Sequence, residues 1–139
     1  MKPNFLSMII FLMAAAVVPL LAQQPAADQQ NYIVITKKVD QLKPLILSAE
    51  ALKKEDGRNF GKFEIVICGK DIGNVTDPGK MDEHLKNAKK HGVDIIACGF
   101  SMKRFGVSAD QIPEEMRIVD NGILYNLRMQ KKGYKSLGL

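Results

Sequence analysis

Apolar and polar positions in this chain fall into two periods that alternate along its length. "NYIVIT" (31–36) is a short β-branched run and predicts a buried strand. Beyond it, Leu42, Leu45, Ile46, Ala49 and Leu52 recur at helical spacing and give one apolar helix face. Asp40 is placed to cap that helix, and Gly57 stands just past its end. "KFEIVIC" (62–68) predicts a second strand. Asp77 and Pro78 then supply a capping carboxylate and a first-turn proline for a helix that turns Met81, Leu85 and Ala88 inward and closes at Gly92. "VDIIAC" (93–98) is the third strand and "MRIV" (116–119) a short fourth. Asp120 is expected to cap a last helix from about Gly122 to Lys132, ended by Gly133, with "YKSL" as a final edge strand.

Strand and helix alternating in units of about 30 residues imply parallel pairing with helices on both faces. The near-continuous apolar strands agree, because a strand buried on both faces has no polar side to show. The expected fold is a three-layer α/β domain over residues 31–139, with a mostly parallel sheet. In such sheets ligands gather beyond the carboxyl ends of the strands. Both cysteines lie there, in "IVICGK" and "IIACGF".

The first residues carry a different pattern. Lys2 gives a positive start, Phe5 to Val18 form an apolar stretch, Pro19 breaks it, and Ala22 precedes a polar run. This predicts a secretory signal peptide over 1–22, cleaved near Ala22, and a secreted or periplasmic mature protein. Leu20, two positions before Ala22, departs from the small-residue rule. The rival reading is an uncleaved membrane anchor, for which the stretch is barely long enough. No cysteine follows the stretch, which argues against a bacterial lipoprotein. "QQPAADQQ" (23–30) is polar and without period, as a flexible tether would be.

Composition narrows the partners. The net charge is +5, with lysines scattered rather than striped, no tryptophan and 6% aromatics. Nucleic-acid binding is therefore not expected, since it calls for a dense basic face and, on single strands, stacking rings. Export makes a disulfide between Cys68 and Cys98 conceivable, but spacing does not decide it, and the two fit no close-set zinc pattern. No metal and no cofactor are expected. His84 and His91 share a helix face two turns apart and read as solvated side chains. Lys131, Lys132 and Lys135 read as a solvated face. Asn74-Val75-Thr76 matches a glycosylation triplet that also arises by chance. Gly69 and Gly73 make "CGKDIG" too glycine-poor for a phosphate cradle, and Tyr134 is expected to pack at the sheet edge.

The candidate chemistry lies in "DIIACGFSMKRFGV" (94–107). If a short helix begins in "GFSMKRF", its free N–H groups face Cys98, and Lys103 and Arg104 add positive charge nearby. Each effect favours the thiolate, which is the nucleophile. Gly99 permits close approach of a backbone or a substrate sulfur. Cysteine is also a common apolar filler at strand ends, so a packing role stays open for Cys98. Cys68 is either a buried strand-end residue or a resolving thiol. Direct bonding between the two needs Cα atoms within about 7 Å and suitable Cβ directions.

From Gly92 onward the chain resembles the DsrE/DsrF-like family of small sulfur-handling proteins, through "HGVDIIACGFSMKRFGV", "SADQIPEEMRIVDNGILYNL" and "RMQKKGYKSL". "FEIVICGKDI" extends the likeness more weakly. The resemblance implies a five-stranded parallel sheet with the second and third strands adjacent, and trimers or hexamers of identical subunits. It also implies a persulfide-carrying cysteine, followed by a basic residue and a glycine, at Cys98, Arg104 and Gly106. Relay members pass sulfane sulfur to a partner protein through thiol exchange. The resulting expectation is an exported sulfur carrier acting through Cys98, with a sulfur donor or acceptor protein as partner. The alternative is a noncatalytic oligomeric binding domain with structural cysteines.

Overall fold

The apolar runs in "NYIVIT", "KFEIVIC" and "VDIIAC" form the centre of one parallel sheet. The computed structural model describes residues 29–139. The expected signal peptide (1–22), and all of the expected tether before its last two residues, lie outside the described residues. Strands β1 (Gln30–Thr36), β2 (Phe60–Ile67), β3 (Val93–Cys98), β4 (Arg117–Val119) and β5 (Lys135–Gly138) pair in the order β4-β3-β2-β1-β5, every neighbour parallel. β1 takes in Gln30, which pairs with Phe60, so the strand begins one residue before "NYIVIT".

Alternation along the strands separates two cores. Val34, Phe63, Ile65, Ile67, Val93, Ile95 and Ala97 project to one face, beneath α1 (Leu42–Asp56) and α2 (Pro78–His91). Those helices bury Leu42, Leu45, Ile46, Ala49, Met81 and Ala88. Ile33, Val66, Cys68, Ile96 and Cys98 project to the other face, which α4 (Gly122–Lys131) covers with Met129 and Tyr125. The short α3 (Gly99–Phe105) follows β3 without a break. The result is the three-layer parallel α/β sandwich expected. Among the described residues no helix is long and apolar enough to cross a membrane.

Two expected caps are replaced by neighbours. Asp40 lies inside a 3-10 turn (Val39–Gln41) and does not cap α1; the carboxylate that meets this turn is Asp71, which accepts from the Val39 N–H. Asp71 also accepts from the Asn74 side chain, so the asparagine of the glycosylation triplet is engaged in packing a second 3-10 segment (Lys70–Thr76). Asn121, not Asp120, caps α4 by accepting from Ile123 and Leu124 N–H at 3.0 and 3.1 Å. A cap must sit one residue before the first helical turn, and α4 begins at Gly122. Asp77 caps α2 as expected, accepting from Gly79 N–H at 2.9 Å, and Gly92 ends that helix in the left-handed conformation. His91 faces Glu50 of α1 at 3.8 Å, Lys135 lies over the Tyr32 ring at 5.4 Å, and Tyr134 packs into the core beneath α4.

One charged residue sits where the apolar pattern gave no warning. Glu64, in the middle of β2, is 2% exposed. It accepts from Arg117 of β4 at 3.1 Å and from the Tyr125 hydroxyl of α4 at 2.9 Å. A buried carboxylate needs such donors, and these two tie the sheet to α4.

Two substitutions weigh these features by chemical denaturation. Ile65→Ala, on the central strand and fully buried, is expected to cost about 2–5 kcal/mol through lost burial and a residual cavity. Asp77→Ala is expected to cost about 1 kcal/mol through the lost cap. A larger loss from Asp77→Ala than from Ile65→Ala would contradict this ordering.

Candidate functional site

The carboxyl ends of β2 and β3 bring the two cysteines side by side. The ladder between these strands runs in register to Ile67↔Ala97, so Cys68 and Cys98 stand one step beyond the last pair. Both project to the α4 face and belong to its core cluster. Both are free thiols, and their sulfurs are joined by a hydrogen bond. Exposure is 7% for Cys68 and 2% for Cys98.

Three segments close over the sulfurs. Cys98 is the residue from which α3 starts, and its sulfur takes hydrogen bonds from the Ser101 side chain and backbone in the first turn. The Ser101 oxygen accepts the Gly69 N–H at 2.8 Å, linking the residue after Cys68 to the helix after Cys98. The start of α4 is the third segment: Gly122 N–H donates to Cys98 Sγ at 3.2 Å. A Cβ on Gly122 would lie 2.7 Å from Cys68 Sγ, 2.7 Å from Val66 Cγ1 and 3.2 Å from Cys98 Cβ. Only glycine fits that position. At Gly99 the fit is tight rather than closed, since a Cβ there would meet Val119 O at 3.1 Å and Asp120 O at 3.3 Å.

This surround drives the two thiols apart. Burial works against ionisation of Cys98, but hydrogen bonds from the Ser101 hydroxyl, the Gly122 N–H, the Ser101 N–H and Cys68 outweigh it and hold the thiol below its ordinary value. Burial pushes Cys68 up to about 12; the neighbouring Cys98 charge and hydrogen bond add to the rise, and Lys37 opposes it. The pair is a thiolate-prone sulfur held by a protonated one.

The expected supporting residues are only partly gathered here. Gly99 is in the site. Lys103 and Arg104 occupy the last turn of α3 and are exposed, five and six positions beyond Cys98, on sides of the helix turned away from the sulfur. Arg104 lies instead over the Phe105 ring at 5.9 Å. The bias towards thiolate that was expected from these cations comes from neutral donors. Gly106 ends α3 with φ of 71°, so its part is to turn the chain. Ser101 and Gly122 were not anticipated. Ser101, three residues after Cys98, was legible as a first-turn donor, whereas nothing local marks Gly122, which is 24 positions away.

Comparison with known proteins follows the same outline. A search among curated proteins returned no match. Solved structures share the fold, two of them as follows. One, a protein of unknown function (MTH1491) from Methanobacterium thermoautotrophicum, is 19% identical with a TM-score of 0.59, covering 78% of this chain and 100% of its own. The other, a conserved protein of unknown function (BT1422) from Bacteroides thetaiotaomicron, is 21% identical with a TM-score of 0.58, covering 78% of this chain and 95% of its own. At these identities the likeness is one of fold. The sequence profile of the DsrE/DsrF-like family matches residues 45–137, more than half of the chain and inclusive of both cysteines, so the chain belongs to the DsrE/DsrF-like family.

Proposed function

We propose that this protein is an exported carrier of sulfane sulfur that uses Cys98 as a persulfide. Family membership suggests a sulfur-relay-type protein. The observation that carries the finer reading is Cys98 itself: a thiol lowered despite burial, at the end of a sheet strand and the start of α3. In the proposed step the Cys98 thiolate attacks the sulfane sulfur of a donor persulfide. The donor S–S bond breaks, the donor leaves as a thiolate, and Cys98 holds the transferred atom as a persulfide anion. An acceptor thiolate then attacks the outer sulfur and Cys98 leaves as a thiolate. Cys98 is 2% exposed, so each transfer requires its cover to open. Lys103 and Arg104, solvent-facing at the far end of α3, suit attraction of an acidic partner surface.

Burial of both thiols favours the second reading, a binding domain with structural cysteines. Assembly of identical subunits belongs to both readings. Its support is the apolar outer side of α4, where Ile123, Leu124 and Leu127 are 62%, 44% and 50% exposed, an area that a second copy would cover.

Alkylation kinetics separate the two. The lowered Cys98 thiol is expected to react with a midpoint below 9.0, and Cys68, at about 12, to stay silent at neutral pH. Cys98→Ser therefore removes the fast phase and Cys68→Ser keeps it. A fast phase that survives Cys98→Ser ends the carrier reading. Incubation with a polysulfide donor is expected to add one sulfur atom to Cys98 by mass spectrometry.

Gly122→Ala tests the surround. The added methyl forces α4 away from the sulfurs at a cost of about 1–3 kcal/mol. Loss of the Gly122 N–H bond is expected to shift the alkylation midpoint of Cys98 upward. An unchanged midpoint would show that this donor does not govern the thiolate. Light scattering on the mature protein is expected to give a trimer or larger, and intact mass from the native host a chain starting near Gln23. A monomer at micromolar concentration, or a retained Met1 in membrane fractions, would overturn these two expectations.

A further inference from the structure

The persulfide step uses one sulfur and leaves Cys68 without a task. Cys68 is a poor nucleophile as it stands, because burial and the neighbouring Cys98 keep its proton on. It is not thereby a poor ligand. A soft cation displaces the proton of a thiol that it coordinates, whatever the free thiol prefers. The question is which ion the surroundings would accept.

We propose that Cys68 and Cys98 form a two-thiolate site for a soft monovalent cation, copper(I), with silver(I) as its redox-inert surrogate. The sulfurs already lie in hydrogen-bond contact on one face of the sheet, side by side past the Ile67↔Ala97 pair. Their spacing is fixed from behind by the bond from Gly69 N–H to Ser101 Oγ, 2.8 Å, which clasps the two strand ends together. On the α4 side, the missing side chain of Gly122 leaves backbone alone against both sulfurs.

Ligand number selects the ion. Among the described residues no group of three or more His, Cys, Asp or Glu is placed to hold a metal ion, so the four-ligand shell of zinc is not assembled. Thiolates select copper(I), for which two sulfurs suffice. The histidines do not enlarge the set, because His84 and His91 belong to α2, which packs on the opposite face of the sheet. Exposures of 2% and 7% keep competing thiols and water from adding a third ligand.

Charge and protons balance without any redox step. Two metal–sulfur bonds form, any S–H bond still present on either sulfur breaks, and its proton leaves to solvent. The bound unit carries a net charge of −1, which the Gly122 N–H at 3.2 Å, the Ser101 hydroxyl and the charge of Lys37 offset. The site shares Cys98 with the persulfide reading but does not depend on sulfur transfer, and the two occupants exclude each other.

The test is an anaerobic titration of the reduced full chain with silver(I), and with copper(I) against a chromophoric copper(I) chelator. One equivalent is expected to bind with release of protons, and with two sulfur scatterers in X-ray absorption. Cys68→Ser is expected to lower affinity about 100-fold; persulfide uptake by the wild type is measured separately, so failure of the carrier reading leaves the metal result standing. Cys68→Ala, and a thermal melt of each variant, guard against loss of folding. The wild-type sulfur count stands without any variant. Binding of silver by folded Cys68→Ser at wild-type affinity, no binding by wild type, or a shell of three or more protein ligands would each overturn the proposal.

Discussion

The in-register parallel pairing of β2 with β3 is the constraint on which the rest of this protein depends. Parallel neighbours cannot be joined by a tight turn, so the chain must cross over one face, and α2 is that crossover. The same pairing buries Ile65, Val66, Ile67, Ile96 and Ala97 completely, which makes these strands the centre of both cores. It also ends both strands at the same level. Two cysteines 30 positions apart in sequence therefore become neighbours at the carboxyl edge, the place where parallel sheets present their chemistry.

From that adjacency the electrostatics follow. Two thiols in contact do not ionise independently, because the first negative charge disfavours the second. Which sulfur takes the charge is settled by donors. Cys98 has the first turn of α3 below it and the start of α4 above it, both offering N–H groups. Cys68 has burial and its charged neighbour, with Lys37 as a weaker opposing influence. Thiolate stabilisation here comes from directed hydrogen bonds in a dry place rather than from exposed cations, whose fields water screens. The Glu64–Arg117–Tyr125 group, deeper in the same face, anchors α4 to the sheet and so fixes where Gly122 lies.

The chain's periodicity was enough for the architecture. The β-branched runs, the 3.6-residue stripes from Leu42 to Leu52 and from Met81 to Ala88, and the signals Asp77-Pro78, Gly57 and Gly92 each act within one element, and each reads through to the structure. Caps were legible where side chain and helix start are fixed by one residue type, as at Asp77, and misplaced by one where two adjacent residues could serve, as at Asp120 and Asn121. Glu64 escaped notice because its burial is made acceptable by Arg117 and Tyr125, 53 and 61 positions later.

Sequence by itself thus determined the strands, the helices, their alternation and hence the parallel sheet, together with Cys98 at a strand end before a short helix. These are local properties, set by spacing and side-chain type within a dozen residues. Tertiary structure alone decided that Cys68 lies against Cys98, that Gly122 fills the space where any side chain would collide with the Cys68 sulfur and Val66, and that Lys103 and Arg104 turn away. Those facts depend on strand order and on the docking of α4, which join residues that no local period connects.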